Sequence, residues 1–158
     1  MRIGHGMDAH RFAEGRPLVL CGVTIPYDKG LMGHSDADVA THALMDALLG
    51  AVALGDIGLL FPDTEEQFAG ACSIDLLGEV VTLIASAGYR PVNVDITIVA
   101  QRPRLMPYID PMRQALAIRL KLPLPSVSVK ATTTEGLGYE GREEGITAYA
   151  VCLLREEG

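Results

Sequence analysis

Segments with the two-residue period of a β-strand alternate with segments of helical period along this 158-residue chain. A sheet buries its apolar side only against another layer, so this order predicts an α+β sandwich, a mixed sheet covered by helices on one face. The length suits a single domain over residues 1–158. Strands are predicted at the N-terminus, as a hairpin in "PLVLCGVTIP", and in "VNVDITIVAQ", "SVSVKATTT" and "GITAYAVCLLR"; helices are predicted over 38–54, 73–88 and 107–122.

A doubly wound nucleotide-binding fold is disfavoured by the context of its one matching motif. The stretch "GLGYEG" at 136–141 spells G-x-G-x-x-G, but a strand-like segment follows it where that fold requires a helix. Two glycine-containing stretches, "DKGLMGHSD" and "GDIGLLFPDTEE", are expected to be loops on either side of the first long helix.

Charge and cysteine pattern disfavour several classes of function. A formal net charge of −7 argues against nucleic acid as the main partner, although a pocket for a phosphorylated small molecule can still be locally positive. The longest apolar runs are too short to span a bilayer, and the N-terminus lacks an apolar signal core, so neither a membrane nor export is expected. Cys21, Cys72 and Cys152 are far apart, which favours a cytoplasmic location and argues against disulfides or a thiolate zinc site.

The N-terminal strand carries a carboxylate and an imidazole two residues apart. Asp8 and His10 would project from the same face of this strand, with Gly4 and Gly6 leaving open space behind them. By itself such a pair is more typical of a surface than of a metal site. His5 would lie on the opposite face, and we interpret it as structural.

A further histidine lies on the first long helix. Ser35 or Asp36 can cap this helix, whose apolar residues form one stripe. His42 lies nearly opposite the stripe, in a row with Asp38 and Asp46. The row is either a solvated polar face or the wall of a cleft, where a carboxylate would orient the second nitrogen of His42.

If that row faces a cleft, Asp8, His10 and His42 form an Asp-His-His set. Three protein ligands leave a fourth position open, which is the pattern of a catalytic zinc site. The chain has no G-x-S-x-G elbow that would indicate a serine hydrolase.

Several motifs in order along the chain carry a family resemblance. They are "GHGMDAHRF" at 4–12, "SDADVATHA" at 35–43, "GDIGLLFPDT" at 55–64, "KATTTEGLG" at 130–138 and "GREEGI" at 141–146. Together they resemble the 2-C-methyl-D-erythritol 2,4-cyclodiphosphate synthase family over essentially the whole chain. The resemblance implies conversion of 4-diphosphocytidyl-2-C-methyl-D-erythritol 2-phosphate into the cyclic diphosphate with release of CMP, in the non-mevalonate route to isoprenoids.

The resemblance also implies the ligands of the site. It places zinc on Asp8, His10 and His42, and a second divalent ion, Mg²⁺ or Mn²⁺, on Glu135. The implied substrate-binding residues are Asp8 and His10; His34 and Ser35 at the phosphates; Asp56, Ile57, Gly58, Phe61, Pro62, Asp63, Thr64 and Glu65 around the methylerythritol; Ala100, Gln101, Arg102, Pro103, Arg104, Leu105 and Met106 under the cytidine; Thr132, Thr133, Thr134 and Glu135 at the diphosphate; and Tyr139 and Arg142.

The implied chemistry needs positioning more than an activated side chain. The 2-phosphate of the substrate is already ionised and attacks the β-phosphorus itself, so His34 and Thr133 are expected to steady charge in the transition state. Strand alternation in "KATTTE" would put Thr133 and Glu135 on one face. Two alternatives stay open: a zinc-dependent phosphohydrolase, and a non-catalytic trimer that binds isoprenoid diphosphates.

A homotrimer is the implied assembly, with active sites between neighbouring subunits. The apolar closing strands suit burial at the axis of such a trimer. Some relatives bind isoprenoid diphosphates in a cavity on that axis, where Phe and Glu are common at positions 7 and 149. This chain has Met7 and Tyr149 there, so an axial prenyl ligand is not part of the expected function, although Arg142 suits a diphosphate.

Overall fold

The strands of the computed structural model, which describes residues 1–62 and 64–157, form one large sheet and one small hairpin. In the described part the strands are β1 (Arg2–Glu14), β2 (Leu18–Leu20), β3 (Val23–Ile25), β4 (Lys29–Leu31), β5 (Tyr89–Val99), β6 (Val127–Thr132) and β7 (Gly145–Glu156). Five of these described strands form a mixed sheet in the order β4-β1-β7-β5-β6, and β2 pairs with β3. Strand β7 is antiparallel to both β1 and β5, whereas β5 and β6 are parallel.

Helices pack on one face of this sheet, as the sequence predicts. In the described residues they are α1 (Val39–Ala51), α2 (Ile57–Leu60), α3 (Ser73–Ser86), α4 (Ile109–Leu120) and α5 (Gly138–Gly141), with 3₁₀ turns at Glu66–Phe68, Met106–Tyr108 and Leu124–Ser126. Helix α1 packs on β1 and β7, α3 packs on α1 and β5, and α4 packs on α3 and β6. Among the described residues, no helix combines the length and the apolar character needed to cross a membrane.

Two glycines of β1 allow α1 to rest directly on the sheet. A Cβ at Gly4 would lie 1.8 Å from the Ala47 carbonyl oxygen, and a Cβ at Gly6 would lie 2.0 Å from that of Ala43. The space behind these glycines is therefore filled by helix backbone, and the expectation of open space is wrong. Any larger residue would separate α1 from β1.

The other face of the sheet is partly apolar and exposed. Ile3 and Met7 on β1 and Tyr149 and Val151 on β7 all project from it, and Ile3 is 74% exposed. The alternate residues of β7, including Ala148 and Ala150, are fully buried under the helices. Strand alternation thus gives the sheet one face buried by helices and one face left for solvent or a partner.

The two predicted loops contain short regular elements. Residues 29–31 of the first loop form β4, which extends the sheet by pairing with Phe12, Ala13 and Glu14 of β1. The second loop contains the single turn α2, because the Asp56 carboxylate accepts a hydrogen bond from the Leu59 N–H at 3.0 Å and caps it. The short helix α5 lies within the "GLGYEG" stretch, and strand β7 follows it, as the sequence predicts.

Candidate metal centre and adjoining cavity

Asp8, His10 and His42 converge between β1 and α1. The Asp8 Oδ2 lies 2.9 Å from the His10 Nε2 and 3.1 Å from the His42 Nδ1, and these two nitrogens are 3.3 Å apart. One ligand atom from each of the three residues can therefore reach a common metal ion. Strand parity brings Asp8 and His10 to the helical side of the sheet, and the close approach of α1 brings His42 to meet them.

The row that contains His42 on α1 faces the interior. His42 is 7% exposed and Asp38 is fully buried, so the alternative of a solvated polar face is wrong. Asp38 is also the N-cap, and its carboxylate accepts hydrogen bonds from Thr41 and from the backbone of Cys21 and Gly22. It therefore cannot orient His42, and the expectation that Ser35 or Asp36 caps α1 is wrong because the helix begins at Val39.

Asp46, the third member of the row, links α1 to α2. Its Oδ1 accepts a hydrogen bond from the Ile57 N–H at 2.8 Å. Burial raises the pKa of Asp46, and this hydrogen bond opposes the rise. Asp46 thus holds the start of α2, and with it one wall of the adjoining cavity, against α1.

The outer nitrogens of both histidines have oxygen partners. The His10 Nδ1 lies 2.6 Å from the Met32 carbonyl oxygen, and because a carbonyl only accepts, this nitrogen is assigned the proton. The His42 Nε2 lies 2.9 Å from the Ser73 Oγ and 3.3 Å from the Ser35 Oγ. Such outer partners are typical of metal-binding histidines.

The donor set fits a divalent metal ion. Burial disfavours the charged form of Asp8, but hydrogen bonds and charge interactions with His10 and His42 outweigh this effect and hold the pKa of Asp8 well below its usual range. A carboxylate and two imidazole nitrogens this close repel one another unless a proton or a cation lies between them. Two nitrogens and one carboxylate oxygen are ligands that zinc accepts, and three protein ligands leave a position open.

A cavity of about 270 Å³ adjoins this centre. Its polar end contains the three candidate ligands together with His34 and Ser35. Its described lining residues are Asp8, His10, Gly33, His34, Ser35, His42, Met45, Ile57, Gly58, Phe61, Phe68 and Leu76. A polar, metal-binding end beside an apolar wall suits a small phosphorylated molecule with a short carbon body.

The structure thus brings together seven of the residues expected at the substrate, from Asp8 to Phe61, and adds others. Phe68 packs its ring edge-on against Phe61 at 5.3 Å between centroids, and Leu76 and Met45 complete the wall. These residues were missed because they come from three separate segments. Periodicity marks Met45 and Leu76 as buried but does not show which of several cavities they line.

The segment after α2 is only partly directed to this cavity. Pro62, Thr64 and Glu65 are not among its described lining residues, and Asp63 lies outside the described residues. The Glu65 carbonyl oxygen lies 3.1 Å from the His34 Nε2, so the segment contacts the cavity through His34. Asp56 is occupied as the cap of α2.

Part of each remaining predicted segment lies at a second cavity, of about 370 Å³, at the carboxyl ends of β5 and β6, whereas Thr134 and Glu135 are not among its described lining residues. Arg102 is not among its described lining residues and precedes a cis-proline. The residues that line it are Ala100, Gln101, Pro103, Arg104, Leu105, Met106, Ile109, Ala131, Thr132 and Thr133. The two cavities have no described lining residue in common, and β7 separates β1 from β5 in the sheet.

The turn after β6 corrects the predicted strand alternation in "KATTTE". Strand β6 ends at Thr132, and Glu135 has a left-handed backbone with φ 55°. Thr133 and Glu135 do not alternate along a strand, yet the turn brings them together, with the Thr133 hydroxyl donating to the Glu135 Oε1 at 3.2 Å. Thr134 instead donates its hydroxyl to the Leu137 carbonyl oxygen.

Tyr139 and Arg142 belong to neither cavity. The Tyr139 hydroxyl is hydrogen-bonded to the Thr147 hydroxyl, and its side chain lines a shallow pocket beside His10. Arg142 is exposed and donates from its Nε to the Glu144 Oε1 at 2.8 Å. His5 lies on the outer sheet face with its ring stacked on Tyr149, 6.3 Å between centroids.

The chain is similar to named proteins over nearly its whole length. The model of the YgbB family matches residues 1–155. The 2-C-methyl-D-erythritol 2,4-cyclodiphosphate synthase of Syntrophobacter fumaroxidans is 58% identical over 158 residues, which cover 100% of this chain and 99% of that protein. The synthase of the same name from Symbiobacterium thermophilum is 60% identical over 154 residues, 98% of each chain.

Solved structures share the fold at clear sequence identity. A CDP-bound 2C-methyl-D-erythritol-2,4-cyclodiphosphate synthase superposes with a TM-score of 0.90 at 42% identity, covering 98% of this chain and 100% of that one. The bifunctional IspDF from Campylobacter jejuni superposes with a TM-score of 0.95 at 43% identity, covering 98% of this chain and 42% of that one.

Proposed function

Because the chain belongs to the YgbB family and is a lyase-type synthase of isoprenoid biosynthesis, we propose that it converts 4-diphosphocytidyl-2-C-methyl-D-erythritol 2-phosphate into 2-C-methyl-D-erythritol 2,4-cyclodiphosphate and releases CMP. The observation that carries this proposal is the cavity that joins the Asp8, His10 and His42 centre to His34, Ser35 and an apolar wall. Its polar end suits a phosphate, and its apolar end suits the methylerythritol carbons.

The metal centre is proposed to hold zinc. Asp8, His10 and His42 would bind the ion, which when bound supplies positive charge that neutralises and polarises phosphate oxygens. Glu135 is proposed to hold a second ion, Mg²⁺ or Mn²⁺. Its carboxylate is an oxygen ligand of the type these ions prefer, and it lies beside the Thr133 hydroxyl.

The reaction is proposed to be an intramolecular phosphoryl transfer. An oxygen of the 2-phosphate forms the new bond to the β-phosphorus, and the bond from that phosphorus to the bridging oxygen of CMP breaks with its electron pair leaving on CMP. No side chain has to become a nucleophile. His34 and Ser35 are proposed to orient the phosphates, and His34 and Thr133 to steady the charge that develops on them.

The assembly is proposed to be a homotrimer of a single domain, residues 1–158, with active sites between subunits. The separation of the two cavities within one chain supports this, because the residues expected at the methylerythritol and at the cytidine would meet across a subunit boundary. The apolar outer face of β1 and β7 supplies a surface for burial. An active monomer in sedimentation velocity would contradict the proposal. A cytoplasmic location is also proposed, supported by three free cysteines.

The nearest alternative is a zinc-dependent phosphohydrolase, because the open position of a three-ligand site also suits an activated water. A non-catalytic binding trimer is disfavoured, since the relatives at 58–60% identity are named as enzymes.

Zinc content and product analysis of His42→Ala test the proposal. Loss of one metal ligand should remove bound zinc and turnover together, whereas Ser86→Ala, at the exposed end of α3, should retain both. Glu135→Gln should keep its zinc but respond differently to added Mg²⁺ or Mn²⁺. Full zinc content in His42→Ala would overturn the metal assignment, and absence of CMP release by the unaltered chain would overturn the reaction.

A further inference from the structure

Two residues outside the candidate ligand set lie directly behind His42. Building on the proposed metal centre, we propose that Ser73 and Asp36 are positioning residues that place the proton of His42 on its Nε2, so that the Nδ1 presents a lone pair to the metal. Their effect would pass through the ring of His42.

The first step is the hydrogen bond between Ser73 and Asp36. The Ser73 hydroxyl donates to the Asp36 Oδ1 at 2.5 Å, and the Ser73 N–H donates to the Asp36 Oδ2 at 3.0 Å. Ser73 is fully buried. A carboxylate only accepts hydrogen bonds, so the single hydroxyl proton of Ser73 is committed to Asp36.

The second step follows at His42. With its proton used, the Ser73 Oγ has only lone pairs to offer the His42 Nε2, which lies 2.9 Å away, so that nitrogen must donate. The Nδ1 is then left without a proton, facing the Asp8 Oδ2 at 3.1 Å. Ser35 is a more distant acceptor at 3.3 Å, and its oxygen already accepts from the Ala37 N–H.

The anchoring of Asp36 makes this arrangement a rigid one. Its backbone N–H donates to the Ala71 carbonyl oxygen at 3.0 Å, and its Oδ1 also accepts from the Asp38 N–H at 3.2 Å. Asp36 therefore ties the segment before α1 to the start of α3. The proton of His10 is held by the backbone carbonyl of Met32, which a side-chain substitution does not remove. Substitution can therefore alter the proton position of His42 but not that of His10.

Two substitutions change the hydrogen-bond chain from Asp36 through Ser73 to His42 in different ways. Ser73→Ala removes the acceptor of the Nε2 proton. Asp36→Ala removes the carboxylate to which the Ser73 hydroxyl is committed, so this hydroxyl is free to turn. Ser73 would then donate to the His42 Nε2 and force the proton onto Nδ1, where it blocks the metal.

Zinc affinity, measured by competition with a chelator, tests the proposal. Ser73→Ala and Asp36→Ala should each weaken zinc binding by about 10- to 100-fold. The double variant should bind zinc only slightly less tightly than the single variant with the lower zinc affinity, because both substitutions act through the ring of His42. Ser86→Ala removes a hydroxyl from the same helix that bonds only to the Thr82 carbonyl, and serves as the matched control with unchanged affinity.

A second readout separates this proposal from the metal assignment itself. Because the Asp8 carboxylate attracts a proton to Nδ1 when no metal is bound, ring ¹⁵N shifts are compared at pH 8.5 in metal-free Asp8→Ala and in Asp8→Ala with Asp36→Ala added. They should show His42 protonated on Nε2 in the first protein and on Nδ1 in the second. The same Nε2 form in both, or zinc affinities unchanged in both variants, would overturn the positioning role. Equal zinc binding by His42→Ala and the unaltered chain would instead refute the proposed metal centre. Circular dichroism identifies folded variants, and Asp36→Ala decides the test if Ser73→Ala is unfolded.

Discussion

Replacing Gly6 by alanine should disturb the metal centre without touching any of its ligands. The added Cβ would lie 2.0 Å from the Ala43 carbonyl oxygen, whereas contacts under 3.0 Å essentially never occur. The backbone of α1 must therefore move away from β1 by about 1.0 Å, the difference between these distances, next to His42. Metal sites keep ligand distances to within about 0.2 Å, so Gly6→Ala should weaken zinc binding strongly. The overpacking should also cost about 3 kcal/mol of unfolding free energy.

Competition with a chelator measures the zinc affinity, and urea denaturation measures the unfolding free energy. Gly50→Ala is the matched control, because its Cβ meets no atom within 4 Å and it lies at the far end of α1. Alanine there should raise the unfolding free energy by about 0.5–1 kcal/mol and leave zinc binding unchanged. Gly4→Ala, which contacts Ala47 one turn away, should destabilise the fold as much but affect zinc less. Unchanged zinc affinity and stability in Gly6→Ala would refute the reasoning that α1 rests on β1.

Three further predictions concern groups around the site and in the core. Arg16→Lys should lower kcat/KM by about tenfold with zinc content unchanged. Two separate guanidinium nitrogens of Arg16 donate to the Gly33 and Ser35 carbonyls, at 2.7 and 2.6 Å, and the single nitrogen of lysine does not reproduce this fork. Steady-state kinetics checks this, with the distant Arg90→Lys as control. Asp38→Ala should cost about 3 kcal/mol in urea denaturation, since it removes the cap of α1 and leaves the N–H groups of Cys21 and Gly22 without their acceptor; a loss below about 1 kcal/mol would contradict it. Burial raises the pKa of the Cys152 thiol from 9.0 to about 11, so the unfolded chain loses this proton at a lower pH than the folded chain does. The unfolding free energy should therefore fall as the pH rises from 9.0 to about 11, and it should fall less steeply in Cys152→Ala.

Local patterns were sufficient to predict the elements and much of the metal centre. Strand parity correctly paired Asp8 with His10, and helical periodicity placed His42 opposite the apolar stripe of α1. Both inferences depend on residues close in sequence, where backbone geometry alone fixes which side chains share a face. The meeting of β1 with α1 then followed from the sandwich fold.

What the sequence did not predict depends on contacts between distant segments. The cap of α1 is Asp38 because the β2–β3 hairpin supplies backbone donors to it, a contact that no local propensity shows. Asp36 instead accepts a hydrogen bond from the N–H of Ser73 at the start of α3, 37 residues away. This distance along the chain also explains why Ser73 was missed as a partner of His42. Strand β6 ends at Thr132, so strand alternation does not apply to Thr133 and Glu135, and Glu135 has a left-handed backbone. Tertiary packing decided each of these points.

Running the reaction in ¹⁸O-labelled water tests the central claim most directly. If the 2-phosphate of the substrate is the attacking group, it has an effective molarity of up to about 10⁵–10⁸ M, which water at about 55 M cannot match. CMP and the cyclic diphosphate should then both form with no oxygen from the solvent. Heavy oxygen in either primary product would show that water attacks the phosphorus, and the chain would be a phosphohydrolase.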